Sequence, residues 1–234
     1  MAANSGGSGG NSGNNSNLIL TQKEGNQNVA KLYESNSATD KWFANPKMSN
    51  YTEWVGGLSK DEKGGLVHYT GNGYGYVNSE LYENAWDNMP ASAKKMATDI
   101  YNGINKFELN KSIPTVRKMP MVYLGGAKNA NELKEYLKNN PQQQFNGFLS
   151  SAVGDKPTYG HGNLLVHSVC PPSVGAGAYI RPISQLGHER EFLWNNNSVF
   201  NFDVNSLHYD PADGYWHVNA TYVGRAKDQH FDKK

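Results

Sequence analysis

The spacing of hydrophobic positions changes character once along this chain, near Pro114. Over residues 28–107 apolar side chains recur at three- and four-residue intervals. Val29, Leu32 and Tyr33 share one face, and Ala93, Met96, Ala97, Ile100 and Ile104 share another. That period predicts amphipathic helices. Ser59, followed three residues later by Glu62, predicts a capping box opening a helix toward Tyr69. Thr70-Gly71-Asn72-Gly73 breaks the pattern, a second short helix is expected over 76–86, and Pro90 opens the next. Beyond Pro114 the apolar runs become short and bounded by turn residues, which predicts strands over 120–126, 145–153, 163–170, 177–180, 191–194, 198–205 and 215–223. One more helix is expected at 131–139. Helices first and strands second predict an α+β fold with an antiparallel or mixed sheet. Residues 1–17 are Gly, Ser and Asn apart from the first three, the composition of a flexible linker. A single folded unit is therefore expected over 18–234, with a helical part at 18–113 and a β core at 114–224.

Composition narrows the possible partners. Lys and Arg number 22 against 21 Asp and Glu, so the net charge of +1 makes no electrostatic case for a nucleic-acid or membrane-surface partner. Cys170 is the single cysteine, which excludes an intrachain disulfide and a cysteine-based metal site. No run approaches the ~20 apolar residues of a membrane helix, and the N-terminus lacks the basic and apolar regions of a secretory signal. His161 and His167 are not at metal-ligand spacing, so no metal is expected. Gly71-Asn72-Gly73-Tyr74-Gly75 follows a helix rather than a strand, which argues against a dinucleotide-binding glycine loop.

The candidate chemistry lies in His188-Glu189-Arg190-Glu191-Phe192-Leu193-Trp194. Alternate residues of a strand share a face, so Glu189 and Glu191 are expected side by side. Two adjacent carboxylates raise at least one pKa, and such a pair suits chemistry in which one stabilises a developing cation while the other handles a proton. A solvated face of an edge strand is the alternative.

Four stretches carry a family resemblance. Val67-His68-Tyr69-Thr70-Gly71 with Tyr74, Val77 and Asn78 resembles the helix–turn–helix segment that precedes the sheet in ADP-ribosyltransferase toxins. Val122-Tyr123-Leu124-Gly125 resembles their first core strand, and Gly147-Phe148-Leu149-Ser150-Ser151-Ala152 the strand bearing Ser-Thr-Ser. Gly177-Ala178-Tyr179-Ile180, leading through Ser184 to Glu189-Arg190-Glu191, resembles the strand and turn bearing Glu-x-Glu. In this order, over about 60–224, they resemble the arginine–serine–glutamate class of mono-ADP-ribosyltransferases found among bacterial toxins, effectors and phage proteins.

The resemblance implies a two-sheet β core under a helical N-terminal part, with NAD as a substrate and an arginine on a target protein as acceptor. It also implies delivery to a target cell by a route without a signal peptide, and action in the cytoplasm. Glu191 would lie beneath the ribosyl cation, Ser150 would orient it, and Glu189 would pair with the acceptor guanidinium. Gly125, Ser150, Ser151 and Tyr159 are implied NAD contacts, and Leu186 an apolar contact to the target or a turn residue folded on the core. One departure matters: Leu124 stands where the family has the arginine that binds the NAD phosphates. Leucine cannot pair with phosphate, so impaired NAD binding is expected. Three explanations stay open: a degenerate member, a substitute cation, or a replacement that silences the enzyme. Arg117, Lys118, Lys156 and Arg181 are the nearest cations, none at matching spacing and each read as a solvated charge. A partner-binding module of the same fold and an NAD glycohydrolase are the alternative functions.

Overall fold

A computed structural model describes residues 35–232. The expected linker at 1–17 and the face formed by Val29, Leu32 and Tyr33 lie outside them. The helical part comprises α1 (Asn36–Ala44), α2 (Tyr51–Gly57), α3 (Lys60–His68), α4 (Tyr74–Tyr82) and α5 (Ala91–Asn105). The Ser59 capping box forms: Ser59 Oγ accepts from the Glu62 N–H at 3.1 Å, and Glu62 Oε2 accepts from the Ser59 N–H at 2.8 Å. Thr70–Gly73 is no open loop. A π-turn over Tyr69–Gly73, with Gly71 off helical dihedrals, joins α3 directly to α4. Along α5 the apolar stripe of Ala93, Ala97, Ile100 and Ile104 is fully buried. Trp54 Nε1 donates to the Gly103 carbonyl at 2.7 Å, and Phe43 stacks on Tyr179 at 4.0 Å between ring centroids, tying helices to each other and to the sheet.

The strands are β1 (Glu108–Leu109), β2 (Ile113–Met119), β3 (Gln142–Phe145), β4 (Leu149–Val153), β5 (Leu164–Cys170), β6 (Ser173–Val174), β7 (Gly177–Tyr179), β8 (Glu191–Trp194), β9 (Ser198–Asp210) and β10 (Tyr215–Arg225). Helix α6 (Ala130–Asn139) lies between β2 and β3. Eight strands pair in the order β3-β9-β10-β5-β2-β4-β8-β7, and β1 pairs with β6 in a small second sheet. Among the described strands only β5 and β10 run parallel. This is the α+β fold with a mixed sheet that the pattern predicts.

The first core strand is not where the pattern placed it. Residues 120–126 form a 3-10 turn over Met121–Tyr123, capped by Leu124, and the strand is β2, several residues earlier. Pro114 obscures β2, because a proline normally interrupts a sheet. Here its carbonyl accepts from the Gly154 N–H at 2.8 Å, so its missing N–H falls on the same side, where β4 has already ended. At the other end Gly162 (φ +121°) passes so close that an added Cβ would lie 2.2 Å from the Met119 carbonyl carbon. Leu124 is 1% exposed and belongs to the main core.

The expected strand 145–153 is also divided. Residues 146–148 bend away because Gly147 presses against α4, where an added Cβ would meet Asn78 Oδ1 at 2.7 Å. β2 and β4 pair only at Thr115–Val153 and Val116–Ala152 and then part. That parting opens a cleft in the middle of the sheet.

Candidate active site

The cleft is a cavity of about 850 Å³ whose wall includes Arg117, Leu124, Ser150, Tyr159, Leu186, Glu189 and Glu191. Arg117 is the first residue of β2 beyond its last pair with β4. Its guanidinium spans the gap, donating from Nη1 to the Ser150 carbonyl at 2.5 Å. Its Nε is buried without a protein partner. Arg117, expected as a solvated charge, is therefore a half-buried cation in the cavity wall, because strand separation turned it inward. Arg181 is held elsewhere by Asp40, and Lys118 donates to the Tyr215 hydroxyl at 2.7 Å from the cavity edge.

Glu191 opens β8 opposite Ala152 of β4, so Ser150, two residues before Ala152, shares its face. Glu191 is 3% exposed, and burial pushes its carboxyl up to about 7; a hydrogen bond from Ser150 and the charge of Arg117 pull it down, while Glu189 adds to the rise. Glu189 lies in the turn ahead of β8 rather than on the strand, its N–H donating to the Leu186 carbonyl at 2.9 Å. Burial raises its pKa too, and the neighbouring His188 opposes the rise. Leu186 is 39% exposed at the cavity mouth, not folded on the core.

Other expected contacts fall differently. Ser151 faces away from Ser150 and accepts from Trp194 Nε1 at 3.2 Å, so its hydroxyl is spent in the core. Gly125 (φ +64°) is packed against Tyr136 outside the cavity wall. Leu124 does reach the wall, as apolar surface. Tyr159 lines the cavity with its hydroxyl buried and unpartnered, and burial, then the charge of Glu191, raises its pKa well above the usual phenol range.

A buried network fixes β4. Asn78 Oδ1 accepts from the Phe148 N–H at 3.0 Å while its Nδ2 donates to the Phe148 carbonyl at 2.9 Å. The Tyr69 and Tyr82 hydroxyls both donate to that same carbonyl at 3.1 Å. The Ser150 side chain lies beside the Tyr69 hydroxyl. The Phe148 anchor therefore sets the start of the strand that carries Ser150. Sequence spacing pointed to Tyr69 and Asn78 as a motif, but not to this partner.

The cleft between the parting strands thus brings a cation, a serine and two buried glutamates into one wall. The chain belongs to the ADP-ribosyltransferase exoenzyme family, whose model matches residues 42–222. It is 23% identical to the NAD(+)--arginine ADP-ribosyltransferase EFV of Enterococcus faecalis over 182 residues, 76% of this chain. The chain spans only 36% of that relative's length. In fold it is similar to Plx2a, an ADP-ribosyltransferase toxin from Paenibacillus larvae (TM-score 0.68, 19% identity, 81% of this chain and 96% of that one). It is also similar to C3stau2 from S. aureus, solved with NAD (TM-score 0.59, 14% identity, 75% of this chain and 95% of that one). Among the described residues, no helix is long and apolar enough to cross a membrane.

Proposed function

We propose that this chain transfers ADP-ribose from NAD to an arginine of a target protein, as a toxin delivered into another cell. The carrying observation is the orphaned Nε of Arg117, buried in the wall of a cavity that also holds two buried carboxylates. A guanidinium with one donor on the Ser150 carbonyl and others uncommitted suits a pyrophosphate. Arg117 therefore takes the phosphate role expected of position 124. The impairment expected from Leu124 has no basis in this reading.

The bond between the nicotinamide nitrogen and the ribose carbon breaks, and its electron pair leaves with nicotinamide. Ionised Glu191, held by Ser150, stabilises positive charge that exists only as that bond breaks. An arginine nitrogen of the target attacks the same carbon, and Glu189, its pKa raised by burial, receives the proton. The arginine acceptor is supported by the Glu-x-Glu spacing and by the name of the E. faecalis relative.

The test compares Glu191→Gln with Glu189→Gln using labelled NAD and agmatine as an arginine mimic. Glu191→Gln is expected to abolish both transfer and NAD hydrolysis, and Glu189→Gln to abolish transfer while hydrolysis persists. Identical behaviour of the two variants would refute the division of roles.

A further inference from the structure

The turn that carries Glu189 is tied to the helical part chiefly by Gln185, a residue outside the cavity wall. Its backbone N–H donates to Thr70 Oγ1 at 2.9 Å and its side-chain Nε2 donates to the Val67 carbonyl at 2.9 Å. Thr70 Oγ1 itself donates to that Val67 carbonyl at 2.8 Å, so three groups close one small ring. The ring exists because the helix is kinked there. Gly71 leaves helical dihedrals, and an added Cβ on it would lie 2.9 Å from Gln185 Oε1, so the Gln185 amide seats directly against the bare backbone of the π-turn. Thr70 is 5% exposed, whereas Gln185 and its side-chain bond to the Val67 carbonyl face solvent.

The neighbouring residue of the same π-turn, Tyr69, holds the other half of the site through the Phe148 carbonyl. Adjacent residues of one irregular turn thus grip both the Ser150 strand and the Glu189 turn. Between Gln185 and Glu189 the chain has few other anchors: the Leu186 N–H donates to Ser184 Oγ at 2.9 Å and the Glu189 N–H to the Leu186 carbonyl. Both are internal to the turn and fix its shape, not its place. Asn36 Nδ2 reaches the His188 carbonyl only at 3.4 Å.

We propose that Gln185 is a positioning residue, whose tether to the π-turn sets Glu189 for the acceptor step. The inference rests on the function proposed above and assigns the residue that controls whether the ribosyl cation meets arginine or water. Glu191 and, through Arg190, the C-terminal side of Glu189 are held by β4, so the tether should govern the N-terminal side of the turn, and with it transfer, and leave bond cleavage alone.

The test is Gln185→Met, which keeps length and volume, loses the amide donor and touches no cavity surface. Displacing a proton acceptor by about an ångström costs roughly ten- to hundredfold, so kcat for transfer to agmatine should fall by that factor, with NAD hydrolysis and the KM for NAD within about twofold of wild type. Hydrogen exchange of residues 181–190 should quicken in the variant, and Tm should hold. Parallel loss of transfer and hydrolysis would overturn the proposal, showing general loosening of the site. So would unchanged transfer with quickened exchange, since the tether would then be real but without influence on Glu189. Wild-type protein that neither transfers nor hydrolyses, while 181–190 exchange slowly, would instead overturn the function proposed above.

Discussion

Replacing Arg117 by methionine separates phosphate recognition from folding. The side chain commits one donor, Nη1, to the Ser150 carbonyl and leaves Nε buried without a protein partner. A charge-assisted hydrogen bond is worth about 1.5–3 kcal/mol, and a bidentate grip on a pyrophosphate supplies two that do not add fully, so Arg117→Met should cost about 2–4 kcal/mol of NAD binding. At about 1.4 kcal/mol per tenfold, that is a rise in Kd of roughly 30- to 1000-fold. Stability should move far less. Methionine leaves the Ser150 carbonyl unpaired, a cost of about 1 kcal/mol, but it also removes a half-buried cation whose Nε has no partner. Calorimetric titration of NAD, steady-state kinetics and thermal melting together check the split. Arg117→Lys should fall between, since an ammonium offers charge without the planar fork. An unchanged NAD Kd in Arg117→Met would refute the reasoning, and a collapse of Tm would show the arginine to be structural.

Two further outcomes follow from the same geometry. Leu124→Arg places a guanidinium at a position 1% exposed in the main core, so it should destabilise by roughly 3–5 kcal/mol and leave NAD affinity no better, which urea unfolding and calorimetry would read. The family resemblance, which puts the phosphate-binding arginine at that position, implies the opposite. Glu191 must be ionised to stabilise a cation, and burial raises its pKa to about 7, so kcat/KM for NAD should fall as pH drops through that value and level off above it. Because Arg117 holds this pKa down, Arg117→Met should move the midpoint upward. A profile flat from pH 5 to 9 would remove Glu191 from the step.

Much of the site was legible because its signals are local. The Glu-x-Glu pair, the Gly147–Ala152 stretch and the Tyr69 to Asn78 segment carry their meaning in residue type and spacing, and the shift from helical to alternating period near Pro114 marks the change from helices to sheet. The Ser59 capping box is equally local, closing within one helical turn. The arginine was not legible, for two physical reasons. Pro114 disguises β2, and it is admitted only because β4 ends opposite it, a fact of register between strands nearly forty residues apart in sequence. Arg117 then turns inward because β2 and β4 part after two pairs, and no property of Val116-Arg117-Lys118 encodes where a partner strand leaves. The same holds for Ser150 and Ser151: adjacent hydroxyls look alike in sequence, and only the pairing of β4 with β8 decides that one meets Glu191 while the other is spent on Trp194. Sequence alone determines which chemical groups are available and which helix or strand period they ride on. Tertiary pairing decides which of them share a cavity, because burial and strand separation depend on contacts that sequence neighbours do not make.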